Sequence, residues 1–369
     1  MKKLTAIALF ALLLYGCKKE YNITRSFCYW KSVDYGNRID IGTGNVDTLQ
    51  LKHIYMRLFD VDWNPYSARP LPVATSWGFA DDSNRLEVTP SVYITNKVVL
   101  NSSRKQLIEL AHNIAKRVDT IVAHTRKDAA RSAVYDYNIA SWDERDLCIA
   151  EEEKVFDTRI HEILIDCDWT PKSQGNYFFL LREIKKVFPK YKIAATIRLW
   201  QYRDYELAGI PPVDRGLLMC YNMGDIKKRE TQNSIATSEE LKKYITHNDY
   251  PLKLDVALPL FRWMVAFRED KLLGLMPNDV DLNNKYFKKI DDTHYRFVED
   301  VVIGETYYRE GDEIRVEQVS DAEIKKMIDI VKDNVELDNS KITFFSWDDK
   351  IIESYGIKTI SVYYALFGR

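Results

Sequence analysis

Apolar runs rich in β-branched and aromatic residues recur along the chain at 27–33, 53–59, 88–95, 162–168, 192–198, 216–221, 252–258 and 341–347. Between them the apolar positions change to a three-and-four spacing, the signature of a helix with one buried stripe. The longest stripe, over 103–125, carries Leu107, Leu110, Ala111, Ile114, Val118 and Ile121. A second spans 175–188 and is closed by Pro189. A third opens at Thr237, with Glu240 three residues on as a capping box requires. A fourth covers 323–332. Strands that alternate with helices predict parallel pairing through crossovers. Eight such strands fit a (β/α)8 TIM barrel, with a doubly wound open sheet as the rival arrangement.

The alternation is uneven. Residues 60–87 carry Pro65, Pro70 and Pro72 and offer no convincing helix, and 126–161 form a long connection. Residues 267–335 form the largest excursion, with β-like stretches at 295–302 and 313–318 around a turn at Arg309-Glu310-Gly311-Asp312. This excursion predicts a small α+β insertion between strands seven and eight.

The N-terminus reads differently from the rest. Met1-Lys2-Lys3 precedes an uncharged, mostly apolar run from Leu4 to Tyr15, which suits a signal peptide and is short for a membrane span. Leu14-Tyr15-Gly16-Cys17 then looks like a lipobox, which implies a lipid on the Cys17 thiol and cleavage before it. An ordinary secretory signal with a chance cysteine is the plainer alternative. The domains expected are a signal peptide at 1–16, a lipidated tether at 17–25 and a barrel at 26–369. The location expected is the cell envelope, at the outer membrane.

Composition narrows the chemistry. There are 53 basic and 55 acidic side chains, a net charge of −2, with no basic stripe to suggest nucleic acid. Six scattered His and five Cys without a CxxC pair suggest neither a metal site nor a disulfide framework, and no cofactor is expected. Tyr, Phe and Trp make up 12% of the chain, and aromatic faces can stack on the apolar faces of sugars. Trp30, Trp63, Trp169, Trp200, Trp263 and Trp347 all fall at or just beyond predicted strand ends. In a barrel those ends form the site.

Side-chain parity singles out acids. Asp166 and Asp168 lie two apart, on one face of the fourth strand, with Asp168 nearer its end. Buried together, they must be hydrogen-bonded, share a proton or serve chemistry. Asp60 and Asp62 share a face in the same way at the end of the second strand. Tyr221 and Asn222 close the sixth strand, and Trp347 and Asp348 follow the eighth.

These residues resemble a known pattern. Asp166-Cys167-Asp168-Trp169-Thr170 is similar to the last part of the fourth-strand signature of family-18 glycoside hydrolases, the chitinase-like barrels. Met219-Cys220-Tyr221-Asn222 and Phe345-Ser346-Trp347-Asp348 resemble the same family's sixth- and eighth-strand motifs. The whole chain resembles chitinase-like lipoproteins of Gram-negative bacteria that lack the motif Glu. The resemblance implies a glycan partner, N-acetylhexosamine-containing, with Asp168 and Tyr221 in the catalytic positions. It implies Asp166, Trp30, Trp169, Asn222, Trp263, Trp347 and Asp348 as substrate contacts. The departure is Thr170, which stands where the family has its general-acid Glu, and a threonine hydroxyl cannot protonate a glycosidic oxygen. Asp62, Asp255 and Asp348 are the candidates for a displaced acid. Three readings stay open from the residues: a hydrolase with a relocated acid, a non-hydrolytic sugar binder, and an envelope scaffold that docks a protein on its insertion.

Overall fold

A computed structural model describes residues 21–30, 43–75, 86–135 and 141–368. The signal region and residues 17–20 of the expected tether, Cys17 among them, lie outside the described residues; the rest of that tether is described, and from Ile23 it already belongs to the first strand rather than preceding the barrel. Among the described residues, no helix is long and apolar enough to cross a membrane.

The strands are β1 (Ile23–Tyr29), β2 (His53–Asn64), β3 (Arg69–Val73), β4 (Glu87–Ile94), β5 (Glu162–Asp166), β6 (Lys192–Arg198), β7 (Arg215–Met219) and β8 (Leu254–Pro259). After them come β9 (Arg262–Arg268), β10 (Lys271–Met276), β11 (Phe287–Lys289), β12 (His294–Phe297), β13 (Val301–Ile303), β14 (Thr306–Tyr308), β15 (Glu313–Gln318) and β16 (Ser340–Phe345). Eight of them pair in parallel in the ring order β1-β16-β8-β7-β6-β5-β4-β2, and β2 pairs back to β1. That closure makes a (β/α)8 barrel and excludes the open sheet. Each of the eight expected apolar runs supplies one barrel strand.

The helices cover the ring as their apolar stripes require. Arg104–Tyr135 buries Leu107, Leu110, Ala111, Ile114, Val118 and Ile121 against the strands. Each of the Leu, Ile and Val side chains among them contributes about 1.5–3 kcal/mol. The helix runs on past the expected stripe and pairs with Trp142–Asp157, where Arg126 reaches Glu153 and Asp157. The described residues of the connection over 126–161 are therefore largely helical. The Thr237 hydroxyl accepts from the Glu240 amide at 3.1 Å and caps Ser238–Tyr244.

Residues 60–73, in the stretch that offers no convincing helix, hold a hairpin. β2 outlasts its neighbours to Asn64 and turns into antiparallel β3. Pro70 and Pro72 are tolerated there because β3 has a neighbour on one side only. The excursion after β8 is an antiparallel sheet in the order β10-β9-β15-β12-β11, with the hairpin β13-β14. It begins at Arg262 rather than 267 and has its own small core around Met264, Phe287, Phe297 and Ile314. The helix Asp321–Asn334 belongs instead to the barrel layer, where Ile324, Met327, Ile328 and Val331 join the main core.

Candidate functional site

Alternate side chains of each barrel strand point inward, and contacts across the ring identify them. Lys341 on β16 reaches Glu162 on β5, directly opposite in the ring order, at 2.8 Å. The Tyr55 hydroxyl on β2 donates to Asp255 on β8 at 2.8 Å. Arg215 also donates to Asp255, at 2.7 Å, and so does Lys341, at 3.3 Å. His53 bridges Ser26 and Thr89 at 2.8 Å on each side. Burial, then the charges of Lys341 and Arg215, push the His53 ring well below its ordinary value. These residues form the floor of the barrel, at the N-terminal ends of the strands. Asp255 therefore cannot be a displaced acid: it is fully buried and committed to two cations.

The mouth, at the C-terminal strand ends, divides into two halves. Four adjacent strands, β1, β16, β8 and β7, contribute aromatics from their ends or the residues just beyond. Phe345 stacks on Tyr221 with ring centroids 4.8 Å apart and planes 22° apart. Phe261 meets Tyr221 edge-on at 6.0 Å and Phe345 at 5.7 Å, and Trp30 lies 5.6 Å from Phe345. Trp263 extends the run, 5.4 Å from Phe261.

The other four strands, β2, β4, β5 and β6, contribute ionic and hydroxyl groups. Arg198 pairs with Asp168, and both side chains are about one-third exposed (32% and 36%). Arg57 forks onto Asp60, with Nε to Oδ1 at 2.7 Å, and donates to the Trp30 carbonyl at 3.1 Å. Asp166 is buried below Asp168 and accepts from Thr196 at 2.7 Å. Burial and the neighbouring Asp168 charge push its carboxyl up to about 7. Burial, then Asp168 and Asp166, raise the Tyr93 phenol. Burial raises the Tyr221 phenol well above its ordinary value, so Tyr221 is a neutral donor. Burial opposes the charge on Arg198, but Asp168 outweighs it and holds the guanidinium protonated.

Set against the sequence expectations, the structure brings Asp166, Asp168, Tyr221 and Trp30 together around the mouth. Asn222 is exposed at the rim with a left-handed backbone (φ 56°). Trp263 stands on the insertion, with its Nε1 donating to Glu317 at 2.9 Å. Three expected contacts are corrected. Trp169 is fully buried outside the ring, packed on Tyr177, Phe178 and Trp200. Trp347 is 1% exposed and meets Phe27, which also points outward, edge-on at 5.0 Å. β16 ends at Phe345, and the chain has turned away from the axis by residue 347. Asp348 caps the next helix by accepting from the Ile351 amide at 3.2 Å.

Asp62 does not serve as an acid either. The Thr95 hydroxyl, at 2.6 Å, and the Trp63 amide hold its carboxyl below the ordinary value. The Thr170 hydroxyl is turned to Ser173 in the turn before the helix Gln174–Val187.

Arg57, Tyr93, Arg198, Phe261 and Phe345 were not expected at the site. For Arg198 and Phe345 a signal was available, because each shares parity with inward residues of its strand, Thr196 and Thr343. Among the described residues, no cluster of His, Cys, Asp and Glu could hold a metal ion.

No protein-family model matches the chain, and no curated protein matches it. Solved structures do. The spore cortex-lytic enzyme SleL of Bacillus cereus is similar at 13% identity and a TM-score of 0.45, over 95% of this chain and 75% of that one. SleL of Bacillus megaterium is similar at 11% identity and a TM-score of 0.43, over 92% and 74%. The chitinase ChiW of a Paenibacillus species is similar at 10% identity and a TM-score of 0.45, over 92% of this chain and 32% of that one.

Proposed function

We propose that this protein is a glycan-binding envelope lipoprotein whose barrel mouth holds a sugar without cleaving it. One observation carries the binding: the mouth is aromatic on four adjacent strands and ionic on the other four. A pyranose has the matching anisotropy, with an apolar C–H face for Phe345, Trp30 and Tyr221 and hydroxyl or amide edges for Asp168, Arg198 and Tyr93. N-acetylhexosamine-containing glycans suit it, since an acetamide offers both a donor and an acceptor.

Cleavage would need a proton that the mouth is not placed to supply. Glycoside hydrolysis needs a carboxyl that is protonated near neutral pH and open to the scissile oxygen. Among the described residues of the mouth, Asp168 and Asp60 each face an arginine, and Asp166 holds a proton but is buried beneath Asp168.

The test is affinity electrophoresis and calorimetry against chitin-, mucin- and peptidoglycan-derived oligosaccharides, with product analysis after long incubation. Wild-type protein should bind at least one and release no new reducing ends. Phe345→Ala should lose about tenfold in affinity, the scale of one aromatic contact. Unchanged affinity in Phe345→Ala, or release of new reducing ends by wild type, overturns this reading. The anchor is tested separately. Cys17→Ser should abolish incorporation of labelled palmitate; labelling that persists in the variant, or is absent from wild type, refutes a lipid on Cys17.

A further inference from the structure

The insertion holds an ion pair that is almost completely buried. Arg315 donates through Nε to Glu317 at 2.6 Å, and the side chains are 1% and 0% exposed. Burying such a pair costs more than an apolar pair of the same volume unless further hydrogen bonds compensate. Here they do, and all but one lead to the loop that follows Tyr221. Arg315 also donates to the carbonyls of Lys228 at 2.7 Å, Arg229 at 3.0 Å and Ile226 at 3.3 Å. Glu317 also accepts from the Ser234 amide at 2.6 Å, the Ser234 hydroxyl at 2.7 Å and the Trp263 indole at 2.9 Å. The pair thus grips both arms of the loop that follows Tyr221 and one ring of the aromatic run.

The loop is built to be gripped. Its arms approach through Met223 N to Ile235 O at 3.3 Å and Gly224 N to Ser234 O at 3.1 Å. A Cβ on Gly224 would meet the Ser234 Cα at 2.9 Å, so only glycine permits the approach. Asn233 adds a bond to the Gln318 carbonyl at 3.1 Å. Trp263 and Glu317 are direct cross-strand partners in β9 and β15, so the sheet register fixes the ring and its acceptor together.

We infer that Glu317 is a positioning residue for the mouth: through Trp263 and Ser234 it fixes the 222–236 loop and the outer end of the aromatic run as one rigid wall against which a bound oligosaccharide rests. This rests on the glycan-binding reading for its ligand, but the clamp itself can be measured without one.

Two double variants isolate the acceptor while removing the same charges. Arg315→Met/Glu317→Gln keeps an oxygen for Ser234 and Trp263; Arg315→Met/Glu317→Leu does not. In the Leu variant, the amides of 223–235 should exchange at least about tenfold faster while those of β5 and β7 stay protected, and affinity for N-acetylated chitotetraose should fall about tenfold. The Gln variant keeps the acceptor but loses the Arg315 bonds to 226–229, so its affinity and its exchange at 223, 224 and 233–235 should stay within about threefold of wild type, while 226–229 loosens as in the Leu variant. Should neither double variant fold, Trp263→Phe keeps an aromatic ring, though a smaller one, while removing the indole donor, and should weaken chitotetraose binding by about threefold. Equal exchange at 223, 224 and 233–235 in the Gln and Leu variants, or equal chitotetraose affinity despite faster exchange, overturns the inference; so does an unchanged affinity in Trp263→Phe. If wild-type protein binds no glycan, the glycan-binding reading falls and the wall loses its ligand, while the exchange comparison still decides the clamp.

Discussion

The two ends of this barrel are made from the same side chains and use them in opposite ways. At the floor, Asp255 is fully buried, and Arg215, Lys341, Tyr55 and the Lys341 amide all point at it. At the mouth, Asp168 has one guanidinium, and about a third of its side chain is open. The floor thus meets its charges entirely within the protein, and the mouth meets them in part. Hydrogen-bonding capacity that the fold leaves unused is what a ligand can use, so carboxylates of equal chemistry become structure at one end and a candidate site at the other. The aromatics follow the same division. Phe344 is buried outside the ring against Tyr363 and Tyr364, while its neighbour Phe345 faces the mouth.

The floor should respond most strongly to the loss of a single charge. Asp255→Asn keeps the shape but removes the negative charge that two cations share. Removing one member of a buried ionic network leaves the others uncompensated and costs about 3–5 kcal/mol. Chemical denaturation should show that loss, with glycan affinity within about twofold of wild type in the protein that remains folded. A loss under about 1 kcal/mol would mean that the floor is wetter and softer than its contacts imply.

The ring itself was legible in the sequence because it depends on periodicity, which survives without partners. All eight strand positions, the 103–125 stripe and the Thr237 cap follow from spacing alone. The site was legible only where parity along one strand decides it, as for Asp166, Asp168 and Tyr221. Trp347 and Phe345 show the limit. Tryptophan at a strand end looks like the stronger aromatic platform, yet the strand stops at Phe345, and two residues later the side chain is under the helices. A turn between two residues is not a periodic signal. Arg198 was missed for a different reason: parity turns it inward, but its role comes from Asp168, thirty residues away in sequence and just past the end of the adjacent strand. The pair Arg315–Glu317 is the extreme case, since an Arg-x-Glu on an exposed-looking hairpin gives no hint that both will be buried.

The same Asp-to-Asn change at the mouth should have the opposite sign and a smaller size. Burial and Asp168 hold the Asp166 carboxyl at about 7, against 3.8 for a free carboxyl. In the folded protein the proton stays on until pH approaches 7, whereas the unfolded chain releases it near 3.8. Folding therefore takes up a proton between those values, so this group's contribution to stability falls as pH rises from about 4 to 7 and is level above 7. At about 1.4 kcal/mol per unit, with relaxation taken into account, the difference amounts to about 2–3 kcal/mol. Asp166→Asn keeps an oxygen for the Thr196 hydroxyl and has no proton to lose. The variant should match wild type at pH 4, gain on it through neutrality and stand about 2–3 kcal/mol more stable at pH 8. His53 is common to both proteins. Its depressed value makes each lose stability as pH falls below 6.5, and that loss cancels in the difference between the two curves. Denaturation midpoints measured from pH 4 to 8 for both proteins supply that difference. A flat difference would mean that Asp166 ionises as readily as a surface carboxylate, and the mouth would then carry one more negative charge than its two arginines balance.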